Sequence, residues 1–230
     1  MSDQRTPRIT ITENGPYLVY GAVPLQVDTI AYDADGGSEE WQPGRAIDAG
    51  EKYALCRCGR SANKPFCDGT HACIGFDGTE TASREPYAAQ ATTIEGPAMV
   101  LQDADALCAF ARFCDPHGSI WKLIKRTDEA GARALVEHEA THCPSGRLVV
   151  RDKTTGAAIE PESAPSIELV EDPGKDCSGP LWVRGGIPIT SSDGTTYEVR
   201  NRVTLCRCGA STNKPFCDGT HADIAFKDGF

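Results

Sequence analysis

The sequence predicts an α+β chain of 230 residues, two β-rich copies of one unit with a small α+β unit inserted between them. Three observations lead there. The stretch Cys56-Arg-Cys58-Gly-Arg-Ser-Ala-Asn-Lys-Pro-Phe-Cys67-Asp-Gly-Thr-His71 returns almost unchanged from Cys206 to His221, 150 residues on. Alternating, turn-punctuated text of β type leads into each copy. Between the copies the apolar period changes from two to about 3.6. A spacing of this size is far outside solenoid repeat lengths, so the units are expected at 1–93, 94–172 and 173–230.

In the first unit, Arg8-Ile-Thr-Ile-Thr alternates and Gly15-Pro16 punctuates. Residues 17–25 then read as one strand with a proline-marked end, and Asp35-Gly36-Gly37 as a turn. Tyr53-Ala-Leu runs straight into Cys56, so a strand delivers the first thiol. The third unit repeats the plan: a strand over 181–189, a turn at Ser192-Asp193-Gly194, and a strand ending at Leu205 that feeds Cys206. In the insert, Leu107, Phe110 and Ala111 stand at helical spacing behind Asp103, which predicts a helix over 103–113. A second helix is expected over 127–140, a strand over 147–151, a proline-rich loop over 160–165 and a last strand over 167–170.

A net charge of -10 argues against nucleic acid or anionic membrane as partner. No segment approaches the roughly 20 apolar residues of a membrane span, and the opening residues offer no export signal. With 11 cysteines clustered at ligand spacing rather than spread as a disulfide framework, reduced metal-binding thiols in a cytoplasmic setting are the expectation.

Each motif offers three thiols and an imidazole in a loop too short and polar for a core of its own. Cys56 and Cys58 would point to opposite faces of a straight strand, so Gly59 must bend the backbone to bring both sulfurs to one metal. Cys67 and His71, four apart, share one side of a helical turn and can share a second metal. Asp68 is placed to accept N–H bonds at that turn, and Ser61 and loop N–H groups are candidate donors to sulfide or thiolate.

The pattern C-x-C-x2-S-x3-P-x-C-D-G-T-H, present in full twice, resembles the CDGSH iron-sulfur domain of the mitoNEET-like (NEET) family. The resemblance implies two [2Fe-2S] clusters, with Cys56 and Cys58 on one iron and Cys67 and His71 on the other. Cys206, Cys208, Cys217 and His221 repeat the set. Family members pair about a two-fold axis, so a chain with two copies is expected to fold as an intramolecular pseudo-dimer, a monomer similar to the tandem members. The absence of a membrane anchor departs from mitoNEET itself.

Cys108, Cys114 and the Cys143-Pro-Ser-Gly text make the insert resemble a divergent ferredoxin-like domain. A ferredoxin cluster normally takes four thiolates, so either His117 or His142 substitutes or the domain has kept the fold without the cofactor; the second alternative is preferred. The alternative at the motifs is a structural zinc site in an interaction module, since Cys3His suits zinc. Cys73 faces Asp223 at the matching position of the second copy and is expected to be a free thiol, as is Cys177. His138 is expected to be solvated.

No Ser-His-Asp set, paired catalytic carboxylates or phosphate loop appears, so no enzyme is expected. Three thiolates and a neutral imidazole leave an oxidised [2Fe-2S] site at about -1, which raises its potential above that of an all-cysteine site. The second ring nitrogen of each histidine makes the potential pH-dependent and the cage acid-labile. The function expected is one-electron transfer or redox sensing with a redox partner protein, the alternative being cluster donation to apo-proteins.

Overall fold

The computed structural model describes residues 6–230; the start of the first expected unit and of the opening segment, 1–5, lies outside the described residues. The first repeat contributes β1 (Arg8–Ile11), β2 (Tyr17–Tyr20), β3 (Leu25–Tyr32), β4 (Ser38–Ile47), β5 (Lys52–Leu55) and the one-turn helix α1 (Thr70–Cys73). After α2 (Tyr87–Gln90) the insert adds β6 (Thr92–Glu95), β7 (Met99–Asp103), α3 (Ile120–Leu123), α4 (Ala130–His142), β8 (Leu148–Asp152) and β9 (Ala158–Ile159). The second repeat supplies β10 (Ser166–Asp172), β11 (Cys177–Arg184), β12 (Ile189–Thr190), β13 (Arg202–Leu205) and α5 (Thr220–Asp223).

The two repeats exchange strands. One sheet runs β12-β1-β2-β5 and the other β13-β11-β10-β3-β4. Thus β1, β2 and β5 accept β12 in parallel from the second half, while β10, β11 and β13 accept β3 in parallel from the first. The crossing explains why the expected single strands over 17–25 and 181–189 are each two. Gly21 and Ala22 (φ 92 and 52), and Gly185 and Gly186 (φ 73 and 70), adopt left-handed conformations that turn the chain out of one sheet into the other. A Cβ on Gly21 would strike Pro7, and one on Gly185 would strike Pro165. The result is a pseudo-dimer within one chain. One core serves both halves: Ile9, Val19 and Leu55 pack with Ile167, Leu181, Val183 and Leu205. Leu55 and Leu205, at 0 % exposure, each gain on the order of 2 kcal/mol by burial, and each stands immediately before a motif's first cysteine.

The residues 167–170, expected with the insert, are part of β10 and pair with β3 and β11. The insert's own sheet is the antiparallel β6-β7-β8-β9. Met99, Leu101, Leu148 and Val150 form its buried face, against Ile120, Ile124, Val136 and Ala140. The helix expected over 127–140 is α4, two or three residues later. The helix expected over 103–113 is absent. Asp105–Leu107 makes a single 3-10 turn, and Phe110 and Arg112 have positive φ (58 and 62). Its apolar residues do not share a face: Leu107 enters the main core, Ala111 and Phe113 pack with Ile30, Val170 and Trp182, and Phe110 is exposed. Packing to several cores has overridden local helical spacing. No helix among the described residues is long and apolar enough to cross a membrane.

Two buried devices join insert to repeats. Arg202 on β13 donates to the carbonyls of Ala140 (2.7 Å) and Cys143 (2.6 Å) at the C-terminus of α4, where a cation suits the helix dipole, and to Glu160 (2.6 Å). The Tyr87 hydroxyl donates to the carbonyls of Gln102 or Arg147, at 3.0 and 2.8 Å.

Candidate metal centres

The strands β5 and β13 lead directly into Cys56 and Cys206, and each segment then bends at a glycine, Gly59 (φ 71) or Gly209 (φ 83). The two bends abut: a Cβ on Gly59 would run into the Cys208 carbonyl, and one on Gly209 into that of Cys58. Only glycine lets the loops approach so closely. The backbone N–H groups of Cys56 and Cys206 donate to the carbonyls of Pro65 and Pro215 (2.8 and 2.9 Å), each proline following a cis peptide bond.

Asp68 accepts from the N–H groups of Ala62 (2.7 Å) and Thr70 (3.0 Å), as expected, and those bonds, led by Thr70, hold its carboxyl well below the usual range. Asp218 accepts equivalently from Thr212 (2.7 Å) and Thr220 (3.1 Å). The hydroxyls of Ser61 and Ser211 do not reach toward the thiols. They donate to the Phe66 and Phe216 carbonyls (2.6 and 2.7 Å) and accept from Asn63 and Asn213 N–H (3.0 Å each), so they shape the loop.

The eight residues singled out in the sequence come together in pairs. Cys56 and Cys58 sulfurs are 3.7 Å apart, as are those of Cys206 and Cys208. Cys67 and Cys217 sulfurs stand 3.3 Å from the Nδ1 atoms of His71 and His221. A tetrahedral metal with metal–sulfur bonds of about 2.3 Å holds two sulfurs about 3.7 Å apart, and a sulfur and an imidazole nitrogen slightly closer. Each pair therefore has the spacing of two ligands on one metal. Groups of three donor atoms within 4.8 Å of one another occur, among the described residues, only elsewhere in the chain. Burial raises the pKa of the Cys58, Cys67 and Cys217 thiols. A hydrogen bond with Cys208 lowers that of Cys206 to about 6. Burial lowers that of His221 to about 4, which keeps its imidazole in the neutral, ligating form.

Two buried arginines went unremarked in the sequence, although each stands between the first two thiols of its motif. Arg57 donates to carbonyls, those of Gly78 (2.5 Å) and Thr12 (3.5 Å), and makes no ion pair among the described residues. Arg207 is paired with Glu171 (2.7 Å) and Asp228 and also donates to the Val170 and Gly179 carbonyls. Their identical positions in both copies were the available signal.

In the insert, Cys108, Cys114 and Cys143 line one pocket with residues 109–113 and Arg147. Burial pushes the Cys114 thiol up to about 12. His117 and His142, weighed as substitutes for a fourth thiol, face Glu39 (2.8 Å) and Glu40 (3.1 Å) instead. Cys73 is exposed and Cys177 buried, both as free thiols. His138 is half-buried, not solvated, with Nε2 3.0 Å from the Glu39 carbonyl.

Paired thiol and imidazole donors on a glycine-bent loop, set in a β-rich body, define a protein of the iron-sulfur class. The family described as iron-binding zinc finger, CDGSH type, matches residues 14–72 and 178–222. A second family, described as divergent 4Fe-4S mono-cluster, matches residues 94–153 between them. The chain thus carries two CDGSH-type segments with a divergent 4Fe-4S segment between them, an arrangement that matches the tandem CDGSH form. No curated protein and no solved structure matches it.

Proposed function

We propose that the chain is an electron carrier with a [2Fe-2S] cluster in each repeat. Cys56, Cys58, Cys67 and His71 hold the first, and Cys206, Cys208, Cys217 and His221 the second. The observation that carries this is the pairwise spacing, 3.7 and 3.3 Å in both copies. It suits two metals with two protein ligands each, and speaks against a single zinc ion, which would draw all four donors within about 3.8 Å of one another. When bound, each cluster supplies a one-electron couple. The residues tune that couple: His71 and His221 replace a thiolate by a neutral ligand, and Arg57 sets a buried positive charge beside the first site. The chain is read as a carrier rather than an enzyme, with an unidentified redox protein as partner, working as a monomer in the cytoplasm. Cluster donation is favoured by one feature alone, the open groove of Glu13, Asn14, Ala72, Gly75, Phe76 and Asp77 beside His71.

A second reading concerns the insert. Its three thiols converge on one pocket inside the segment that matches the 4Fe-4S family, which supports a third cluster site on Cys108, Cys114 and Cys143. Anaerobic iron and sulfide analysis with visible and electron-paramagnetic spectra tests both readings. About four irons and four sulfides per chain are expected from the repeats alone, and about eight with a cubane in the insert. A colourless protein with about two zinc ions per chain would refute the cluster reading.

A further inference from the structure

Of the five histidines in the chain, His117, His138 and His142 lie outside the repeated motifs. The fold brings all three to one place, where α4 and the loop before α3 meet β4, the edge strand of the five-stranded sheet. His138 and His142, one helical turn apart, stack with ring centroids 4.0 Å apart, and His117 stands 5.8 Å from His138. From β4 come Glu39 and Glu40. Glu39, His117 and His138 present three donor atoms within 4.8 Å of one another, all three residues half-buried, and Glu40, His138 and His142 form a second set at the same spacing, with Glu40 exposed.

In two of the three histidines the second ring nitrogen is arranged as ligation requires. Metal-bound histidines usually donate the other N–H to a carbonyl or carboxylate, which fixes the ring and frees one lone pair. His142 Nδ1 is 2.8 Å from the His138 carbonyl, leaving Nε2 toward Glu40. His138 Nε2 is 3.0 Å from the Glu39 carbonyl, leaving Nδ1. Beneath them Glu139 is fully buried; one oxygen accepts from the His117 backbone N–H at 3.2 Å and the other has no partner among the described residues. Three imidazoles with carboxylates, and no thiol, form a donor set for zinc and its divalent neighbours, chemically separate from the thiolate sites.

We propose that this junction binds one divalent transition-metal ion of the zinc class through Glu39, His117 and His138, with the His142–Glu40 pair flanking it. The ion ties three chain segments together. It fixes the loop that leaves Cys114 to the first repeat, and so holds the insert against the body of the protein.

The test is calorimetric titration of Zn2+ into the tag-free full chain, purified with its iron-sulfur content intact in chelator-treated buffer. One site per chain is expected. Affinity should fall at least about tenfold in His138→Ala, His117→Ala and Glu39→Gln, the last keeping side-chain shape and removing the charge. Zinc should raise the melting temperature of the wild type and not of these variants, whose circular dichroism and visible spectra should match the wild type. Absence of Zn2+ binding, or unchanged binding in all three variants with uptake through thiols such as Cys73, would overturn the proposal. Loss in His142→Ala with retention in His117→Ala would overturn this ligand set in favour of the one built on Glu40.

Discussion

Cys67 and His71 are half-buried, with His71 at the wall of an open groove, whereas Cys217 and His221, at the same 3.3 Å separation, are 2 % and 3 % exposed. The motifs do not explain this, since their sequences are nearly the same. The cover comes from the insert. The Asn213 side chain donates to the Ala106 carbonyl at 2.8 Å, and Phe110 packs so near Gly219 that a Cβ there would meet it at 3.0 Å. Arg112 reaches across to Asp172 at 2.8 Å. Among the described residues the first motif has no such lid: a Cβ on Gly69 would meet nothing within 4 Å. A duplicated set of candidate ligands has thus been given two environments by a single loop, 106–113, and the two proposed sites are expected to differ in access rather than in donor set.

The sharpest way to break this comparison is to remove ligands. Cys67→Ser and Cys217→Ser should each lower the repeat-derived iron from about four to about two per chain, with the visible spectrum of the untouched site retained. If either change empties both sites, the repeats do not ligate independently. Next in size is the rate of loss. On acidification or chelation, iron should leave in two phases, the first at least about tenfold faster because His71 meets solvent and His221 does not. Phe110→Gly with Arg112→Ala should move the slow phase toward the fast one. A single phase in the wild type would show that cover is irrelevant to release.

Arg57 and Arg207 sharpen the comparison further, since among the described residues one is a buried charge bonded only to carbonyls and the other is neutralised by two acids. Arg207→Gln leaves Glu171 and Asp228 without their cation and should cost roughly 3–5 kcal/mol in denaturant unfolding. Arg57→Gln should instead lower the midpoint of the first cluster by on the order of tens of millivolts, because reduction adds a negative charge that the guanidinium favours. Spectroelectrochemistry that finds no shift would place Arg57 in loop structure alone.

The smaller of the two effects on stability lies at the strand exchange. Thr10 faces Thr190 where β1 meets β12, but Glu168 faces Gln26 where β10 meets β3. Burial pushes the Glu168 carboxyl up to about 7, above the ordinary value of 4.5. The folded chain therefore keeps a proton there that the unfolded chain releases. Its contribution is full below about pH 4.5 and is lost as pH rises through about 7. Glu168→Gln should flatten that fall, raising stability at pH 8 by roughly 1–3 kcal/mol. Equal pH slopes in denaturation of the two proteins would remove Glu168 from the account.

The donor pairs were legible because they rest on spacings of two and four residues, which a sequence displays directly. The paired repeats were legible too, from text such as Tyr53-Ala-Leu-Cys56 and its counterpart at Leu205-Cys206. The exchange of strands was not, because it turns on the left-handed conformation of Gly21-Ala22 and Gly185-Gly186, and a glycine does not announce its φ. The 106–113 loop was misread for a related reason: Leu107, Phe110 and Ala111 have helical spacing, but their partners lie in separate cores that only the tertiary fold defines. The meeting of His117, His138 and His142 depends on β4, about 80 or more residues earlier in the chain, and no local pattern could show it.

The exchange of β3 and β12 also decides how the molecule can come apart. Two separate chains that swapped strands would be held by mass action, and dilution would release them, together with whatever their shared core protected. Here both halves are parts of one polypeptide, so the partner strand is always present at the effective concentration its tether sets. Melting should then be independent of protein concentration. Because each sheet is completed by the other half, a chain cut near residue 160 should lose neither half by itself: the fragments should stay associated until both unfold, in a single transition.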